Sequence, residues 1–308
     1  MLEILFIVLP IFIVLGTGSF LLKIGMLNQD YIAASNRLVF NFFLPVLLFS
    51  KIAKSDFTQV FTPADILVMI LAIVIIFFLS LLIGLIWRLP FRTIGTFTMN
   101  NFRGNYAYMG LPVCFYAFGD EGLAIASVLM AFIVPMVNML SVISLSLSAS
   151  NSFQPKIIVK NALYNPLVIA CLTGIVFSLS KIPMPQFLEH TLSIISGITL
   201  PLALLAIGAS INVSRLKGSL SVICTSAAMK LFILPLISFL IIRFLNMPLG
   251  LAEKVLIIML ASPAATVNFI LASAMKGDTH LANGTIIATT LLSMISYVTW
   301  LHFLGLPD

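Results

Sequence analysis

The sequence predicts an all-α membrane protein with ten transmembrane helices in two inverted five-helix repeats. Three observations predict this fold class. Over 308 residues the chain is 61% hydrophobic and only 8% charged, whereas soluble domains carry about a quarter charged residues. Apolar runs long enough to cross a bilayer alternate with short polar loops along the whole chain. Short motifs also recur once, 156 to 158 residues further on, as expected of an internal repeat.

The ten predicted spans are Glu3–Leu22, Tyr31–Lys51, Pro63–Trp87, Thr93–Phe118, Gly122–Ser148, Ile157–Ser180, Phe187–Ile211, Ser219–Phe244, Leu249–Met275 and Thr279–Leu304. The first is not read as a signal peptide: it opens on acidic Glu3, lacks a basic leader, and its apolar run is too long. The longest loop, Ala149 to Lys156, is a short polar turn, which leaves no room for a soluble catalytic module. Cys114, Cys171 and Cys224 sit in apolar runs without pairing or metal spacing and are read as small core residues. The net charge of +6 is not a nucleic-acid signature, because the basic residues sit in short loops between spans.

The repeat divides the chain into residues 1–149 and 150–308. Leu44-Pro45 matches Leu200-Pro201 at an offset of 156, and Gly119-Asp120 matches Gly277-Asp278 at an offset of 158. Five spans per half is an odd number, so the halves lie upside down relative to each other, the arrangement found in secondary transporters. The same offset places Gly104-Asn105 of span four on Ser262-Pro263 of span nine. Proline removes a helical hydrogen bond and glycine relaxes the backbone. Both halves therefore carry a helix breaker at matching depth, and paired breaks point to a midplane binding site.

Loop charges set the predicted orientation. Lys23, Arg37, Arg88, Arg92, Lys156, Lys160, Arg215, Lys217 and Lys276 gather on one face; Lys51, Lys54, Lys181, Arg243 and Lys254 lie on the other with most of the acids. The positive-inside rule puts the loop near Lys156 in the cytoplasm and both termini outside a cell membrane.

Span four reads Asn-Asn-Phe-Arg-Gly-Asn-Tyr-Ala-Tyr-Met-Gly-Leu-Pro from Asn100 to Pro112. That polar load belongs inside a bundle or against a cavity. Where two half-helices meet, exposed N–H groups and positive dipole ends favour an anion. Asn105 adds an amide that can donate to a carboxylate, or it merely caps the break. Gly104 and Pro263 shape the site rather than touch the ligand. Arg103 can hold an anion bidentately or pair elsewhere. Thr266 and Asn268 offer a hydroxyl and an amide, with interhelical bonding as the alternative for Asn268; Asn100 and Asn101 are read chiefly as helix–helix bonders. Lys230, near the middle of span eight, has no acid within its span. It is either a fixed charge that substitutes for a coupling cation at the negative helix ends or a structural partner of a carbonyl cluster. None of the ten acids lies at the centre of a span, so no buried carboxylate is expected to couple Na+ or H+. Coupling through carbonyls and hydroxyls near the breaks stays open. His190, His280 and His302 lie near span ends and are read as solvated. A non-transporting intramembrane enzyme lacks an Asp pair, a His-Glu-x-x-His or a serine–lysine arrangement. A channel suits paired breaks less well than alternating access does. No nucleotide-binding loop supplies ATP drive.

Across most of its length the chain resembles the auxin efflux carrier family, grouped broadly with bile acid/sodium symporters. The resemblance is carried by Asn41-Phe-Phe-Leu-Pro45, Asn105 to Pro112 with Phe118-Gly119, Asn165-Pro166, Pro201-Leu-Ala-Leu-Leu-Ala-Ile-Gly208 and Ser262-Pro263-Ala264. It implies that broken helices four and nine cross. It also implies that spans 3–5 and 8–10 slide as an elevator against a scaffold of spans 1, 2, 6 and 7, which often forms a homodimer. The implied substrates are small organic anions such as malate, malonate or an auxin-like carboxylate, carried across the plasma membrane; a sodium-coupled bile-acid-type symporter is the alternative. The plant carriers have Pro-Asn where this chain has Gly104-Asn105, and a polar amide where it has Ala264. They also suggest that Lys51 and Lys54, with Asp56 and Asp65, form a scaffold-side charged cluster that assists release; loop salt bridges are the plainer reading.

Overall fold

The computed structural model describes residues 2–56, 63–146, 165–211 and 219–306, and all of its regular elements are helical. The predicted cytoplasmic loop near Lys156 and Lys160, the basic residues Arg215 and Lys217, and the start of predicted span six lie outside the described residues. In chain order the helices are α1 (Leu2–Lys23), α2 (Gln29–Lys54), α3 (Pro63–Ile86), α4a (Phe91–Phe102), α4b (106–118), α5 (120–146), α6 (Pro166–Ser180), α7 (Gln186–Ser210), α8 (Leu220–Phe244), α9a (Leu251–Leu260), α9b (Val267–Ala274) and α10 (Thr279–Phe303).

Among the described residues, seven helices are long and apolar enough to cross a membrane, with α4b and α5 counted as one. The count differs from the ten predicted spans, two of them expected to be broken, for three reasons. The segments predicted as spans four and nine are each broken. The turn expected after span four is made at Gly119, whose φ of 67° suits glycine, with no loop between α4b and α5; the two count as one helix although the chain folds back there and Arg103 meets Ser141. Helix α6 is described over 15 residues. The chain is a multi-pass membrane protein, and its apolar exterior agrees: Phe78, Leu82, Leu85 and Ile86 of α3 are all exposed, a patch that a soluble monomer would hide.

Local chemistry explains several helix ends. Asn165 caps α6, accepting the Leu167 N–H at 2.9 Å with Pro166 in the first turn. Asp278 caps α10 in the same way and also accepts from the Thr93 hydroxyl at 3.0 Å, tying α10 to the start of α4a. Three helices share a further device. Leu44-Pro45, Leu111-Pro112 and Leu234-Pro235 each follow a wide π turn, in which the leucine N–H reaches back five residues to the carbonyls of Val39, Tyr106 and Met229. A proline has no N–H and its ring collides with the carbonyl four residues back, and widening the preceding turn relieves that collision. At Pro235 the released carbonyl, that of Leu231, accepts the Ser296 hydroxyl and the Trp300 indole N–H of α10, both at 2.9 Å.

Packing separates the helices into two sets. Helix α1 runs along α7, α2 packs on both α6 and α7, while α3, α4a, α8 and α10 pack on one another. Helix α5 contacts both sets, and α1 also touches α10. The α1–α7 contact is backbone on backbone. A Cβ on Gly18 would strike the Leu205 carbonyl, a Cβ on Gly208 would strike the Leu15 carbonyl, and the Ser19 hydroxyl donates to the Gly208 carbonyl. Small residues permit this approach, as is usual between membrane helices. Among the cysteines, Cys114 and Cys171 are buried as expected, but Cys224 is exposed on α8, which corrects its reading as a core residue.

The α1–α7 contact yields a prediction. Gly208→Leu should lower the melting temperature of the detergent-purified protein by several degrees, since overpacking costs about 1–3 kcal/mol. An unchanged melt would show that this contact does not hold the two helices.

Candidate functional site: the crossing of two broken helices

Helix α4a stops at Phe102 because Arg103 (φ −84°, ψ 98°) and Asn105 (φ −82°, ψ 60°) leave helical geometry around Gly104. Helix α9a stops at Leu260 because Pro263 lacks an N–H. The two interruptions meet. Gly104 lies opposite Ala264 in an antiparallel pair, with Asn105 N–H donating to the Pro263 carbonyl at 2.7 Å and Ala265 N–H donating to the Arg103 carbonyl at 3.0 Å. Each break therefore supplies the hydrogen bonds that the other lost, at a depth where water cannot.

Gly104 is required for close approach. A Cβ at that position would lie 2.6 Å from Ser262 Oγ, 2.7 Å from Tyr106 Cε1 and 3.0 Å from Lys230 Nζ. The paired residues sit at the narrow, non-hydrogen-bonded position of an antiparallel ladder, where chains come closest. Ala264 is fully buried, its N–H bonded to the Thr289 hydroxyl at 3.0 Å.

The other predicted residues separate around this crossing. The Asn105 side chain, 6% exposed, makes no hydrogen bond among the described residues, while its carbonyl starts α4b by accepting from Met109 and Gly110. The N–H groups of Tyr106, Ala107 and Tyr108, at the positive end of α4b, likewise have no acceptor among the described residues. Arg103 points toward α5, where Nη1 donates to Ser141 Oγ at 3.1 Å; its Nε has no partner among the described residues. Thr266 is exposed at the start of α9b and makes no cap. Asn268 is fully buried and joins the half-helices: Nδ2 donates to Asn100 Oδ1 at 3.0 Å and to the Arg103 carbonyl at 3.4 Å, leaving its Oδ1 and Asn100 Nδ2 unpaired among the described residues. Asn101 links three helices, donating to Ser80 Oγ at 3.0 Å and accepting from Ser226 Oγ at 2.5 Å. Lys230 reaches the crossing from α8 and donates to the Leu260 carbonyl at 2.6 Å.

Lys51 and Lys54 are not brought to the crossing. Lys51 pairs with Asp120 at 2.5 Å and Lys54 with Glu189 at 2.9 Å. Their partners are thus distant acids and not the nearby Asp56 and Asp65 with which the sequence grouped them. Both lysines line a cavity of about 460 Å³ with Asp56, Asp120 and Glu121, and no residue of either break contributes to it. Asp65 lies in the first turn of α3 and Glu253 in the first turn of α9a, where its carboxylate accepts the Gly250 N–H at 2.9 Å. Sequence reasoning missed Tyr106, whose hydroxyl donates to the Phe102 carbonyl at 2.5 Å and whose ring lies 5.4 Å from Lys230 Nζ. Its signal was the i, i+4 spacing from Phe102 across the break. Nothing in the sequence marked Thr289 or Ser141.

The crossing predicts that Gly104→Ala separates the paired backbones. Its melting temperature should fall with a loss of about 1–3 kcal/mol, and a variant as stable as the parent would show that the strands have room to spare.

The family model for membrane transport proteins matches residues 4–152 and 150–301. The chain is 26% identical over 297 residues to an uncharacterized transporter of Methanothermobacter thermautotrophicus, covering 95% of this chain and 96% of that one. It is 24% identical over 308 residues to an uncharacterized transporter of Methanocaldococcus jannaschii, with 96% of each chain covered. A Rhizobium meliloti protein named "Putative malonate transporter" is 22% identical over 311 residues, covering 99% of this chain and 96% of that one.

Proposed function

Given that this chain belongs to the membrane transport protein family, we propose that it is a secondary carrier of a small organic anion of the carboxylate class. The anion binds where the broken helices cross, and access alternates by an elevator movement. One observation carries this reading: at the junction the Asn105 amide and the N–H groups of Tyr106, Ala107 and Tyr108 have no partner among the described residues. Donors clustered at the positive end of a half-helix suit a carboxylate. Arg103 and Lys230 add positive charge nearby, and Gly104, Pro263 and Ala264 hold the backbone frame. Thr266 and Asn268 border the same junction on α9b. The name of the Rhizobium meliloti relative supports a carboxylate such as malonate.

Ten crossings follow in this reading. The 41 residues from Tyr106 to Ser146 extend about 60 Å at 1.5 Å per residue, twice the hydrocarbon thickness of a bilayer, so the Gly119 kink divides two crossings. The half-helices α4a with α4b and α9a with α9b make one crossing each. Related by a two-fold axis through their contact, the halves would match Gly104 with Ala264, an offset of 160 residues, two more than the motifs suggested. The α1, α2, α6 and α7 set is the scaffold and the homodimer surface; the remaining helices carry the substrate. These assignments, a plasma-membrane location and outward termini rest on the packing, the family resemblance and the loop charges.

Uptake of labelled mono- and dicarboxylates into proteoliposomes, with and without Na+ and a pH gradient, tests the reading. Asn105→Ala should cut uptake of the transported carboxylate by about tenfold or more, the loss of a hydrogen bond to a charged group, while its melting temperature stays unchanged. Undiminished uptake would remove Asn105 from the site, and uptake that requires Na+ would favour a sodium symporter of the bile-acid type.

A further inference from the structure

The two half-helices that end at the crossing finish differently. At the end of α4a the carbonyls are met by neutral donors: Arg103 N–H on Met99, the Tyr106 hydroxyl on Phe102, and Ala265 N–H with the Asn268 amide on Arg103. At the end of α9a, Ala261 N–H satisfies Ile257, and Ser262 satisfies Met259 through its N–H and hydroxyl. The last carbonyl, that of Leu260, receives an ammonium group, Lys230 Nζ at 2.6 Å. Lys230 is fully buried and forms no ion pair among the described residues; its other close neighbours are the Tyr106 ring and the Gly104 backbone, with Ser262 Oγ on the same side of Gly104. The cation belongs to one half only. Offsets of 156 to 160 residues carry Lys230 onto positions 70–74, all of them apolar.

A buried cation without a carboxylate is costly, so something at the site must favour it. Two helix C-termini converge here, each equivalent to about half a negative charge. Carbonyls at such unwound ends, with nearby hydroxyls, are the ligands that coordinate coupling cations in carriers built on broken helices. Leu260 and Ser262 supply one carbonyl and one hydroxyl of that kind, and the ammonium group already occupies the carbonyl. The π turn at 229–233, imposed by Pro235, lies where Lys230 leaves α8.

We propose that Lys230 is a tethered cation: its ammonium group fills the place at the α9a terminus that a free monovalent cation would otherwise occupy. The protein therefore needs no sodium, and removing the side chain creates a monovalent-cation site. Only the transport half of the test below rests on the carrier reading.

The test compares the full chain with Lys230→Ala and Lys230→Met, each purified and melted in sodium, lithium, potassium and choline chloride at equal ionic strength. The parent should melt at the same temperature in every salt. Lys230→Ala should melt lower in choline and recover about 2 °C in sodium or lithium at ten times the dissociation constant. Lys230→Met, which fills the space without charge, should not respond to the salt. In proteoliposomes, labelled malonate uptake by the parent should be equal in sodium and choline, and uptake by Lys230→Ala should be restored by sodium. A parent stabilised by sodium overturns the proposal. So does a Lys230→Ala protein that melts alike in all salts, or that fails to fold in sodium as well as in choline. If the parent carries no carboxylate, the carrier reading fails and the melts still decide the role of Lys230.

Discussion

Two hydrogen bonds hold the centre of this protein: Asn105 N–H to the Pro263 carbonyl and Ala265 N–H to the Arg103 carbonyl. A helix interrupted in hydrocarbon exposes donors and acceptors that water cannot reach. Two interruptions can satisfy each other only if their backbones approach face to face. That condition dictates glycine at 104, where a side chain would collide with Ser262, Tyr106 and Lys230. It also fixes which groups are consumed by the pairing and which are left over. Among the described residues the groups left over include the Asn105 amide and the first N–H groups of α4b, the donors on which the proposed anion site rests.

The surrounding bundle supports this geometry with few charges and many small polar contacts. Asn268 and Asn100 join α9b to α4a, Asn101 joins α4a to α3 and α8, and Asp278 fastens the start of α10 to Thr93 and Thr96. Amides do this better than ion pairs where desolvation is expensive, because a neutral hydrogen bond carries no charge-burial penalty. The ion pairs involving Lys51 and Lys54 instead lie where their carboxylate partners keep some exposure. The Leu-Pro steps contribute in another way. Each widens a turn, and at Pro235 the freed carbonyl becomes the anchor between α8 and α10.

Much of this was legible in the chain. Glycine and proline at 104 and 263 mark where helices break, because the reason is local: one residue lacks a Cβ and the other lacks an N–H. The depth of Lys230 and the absence of acids at the centres of spans can likewise be read by counting along apolar runs. The register of the crossing was not legible. The repeat made Gly104 equivalent to Ser262, and the residue that the backbone pairs with Gly104 is Ala264. A motif offset compares positions along the chain, whereas hydrogen bonding reports which backbones meet. Lys51 and Lys54 were grouped with acids near them in sequence, yet they pair with Asp120 and Glu189, 69 and 135 residues away. Cys224 sits in an apolar run and still faces outward, since in a membrane protein apolar character does not separate the core from the lipid surface.

The amino-acid sequence by itself determined the membrane class and the sites of both breaks, because apolar composition and backbone chemistry are properties of neighbouring residues. Only the tertiary structure decided what each break meets. The pairing of Gly104 with Ala264, the ammonium of Lys230 on the Leu260 carbonyl and the unengaged amide of Asn105 depend on packing between helices more than a hundred residues apart for the first, and on which partners that packing leaves available for the others.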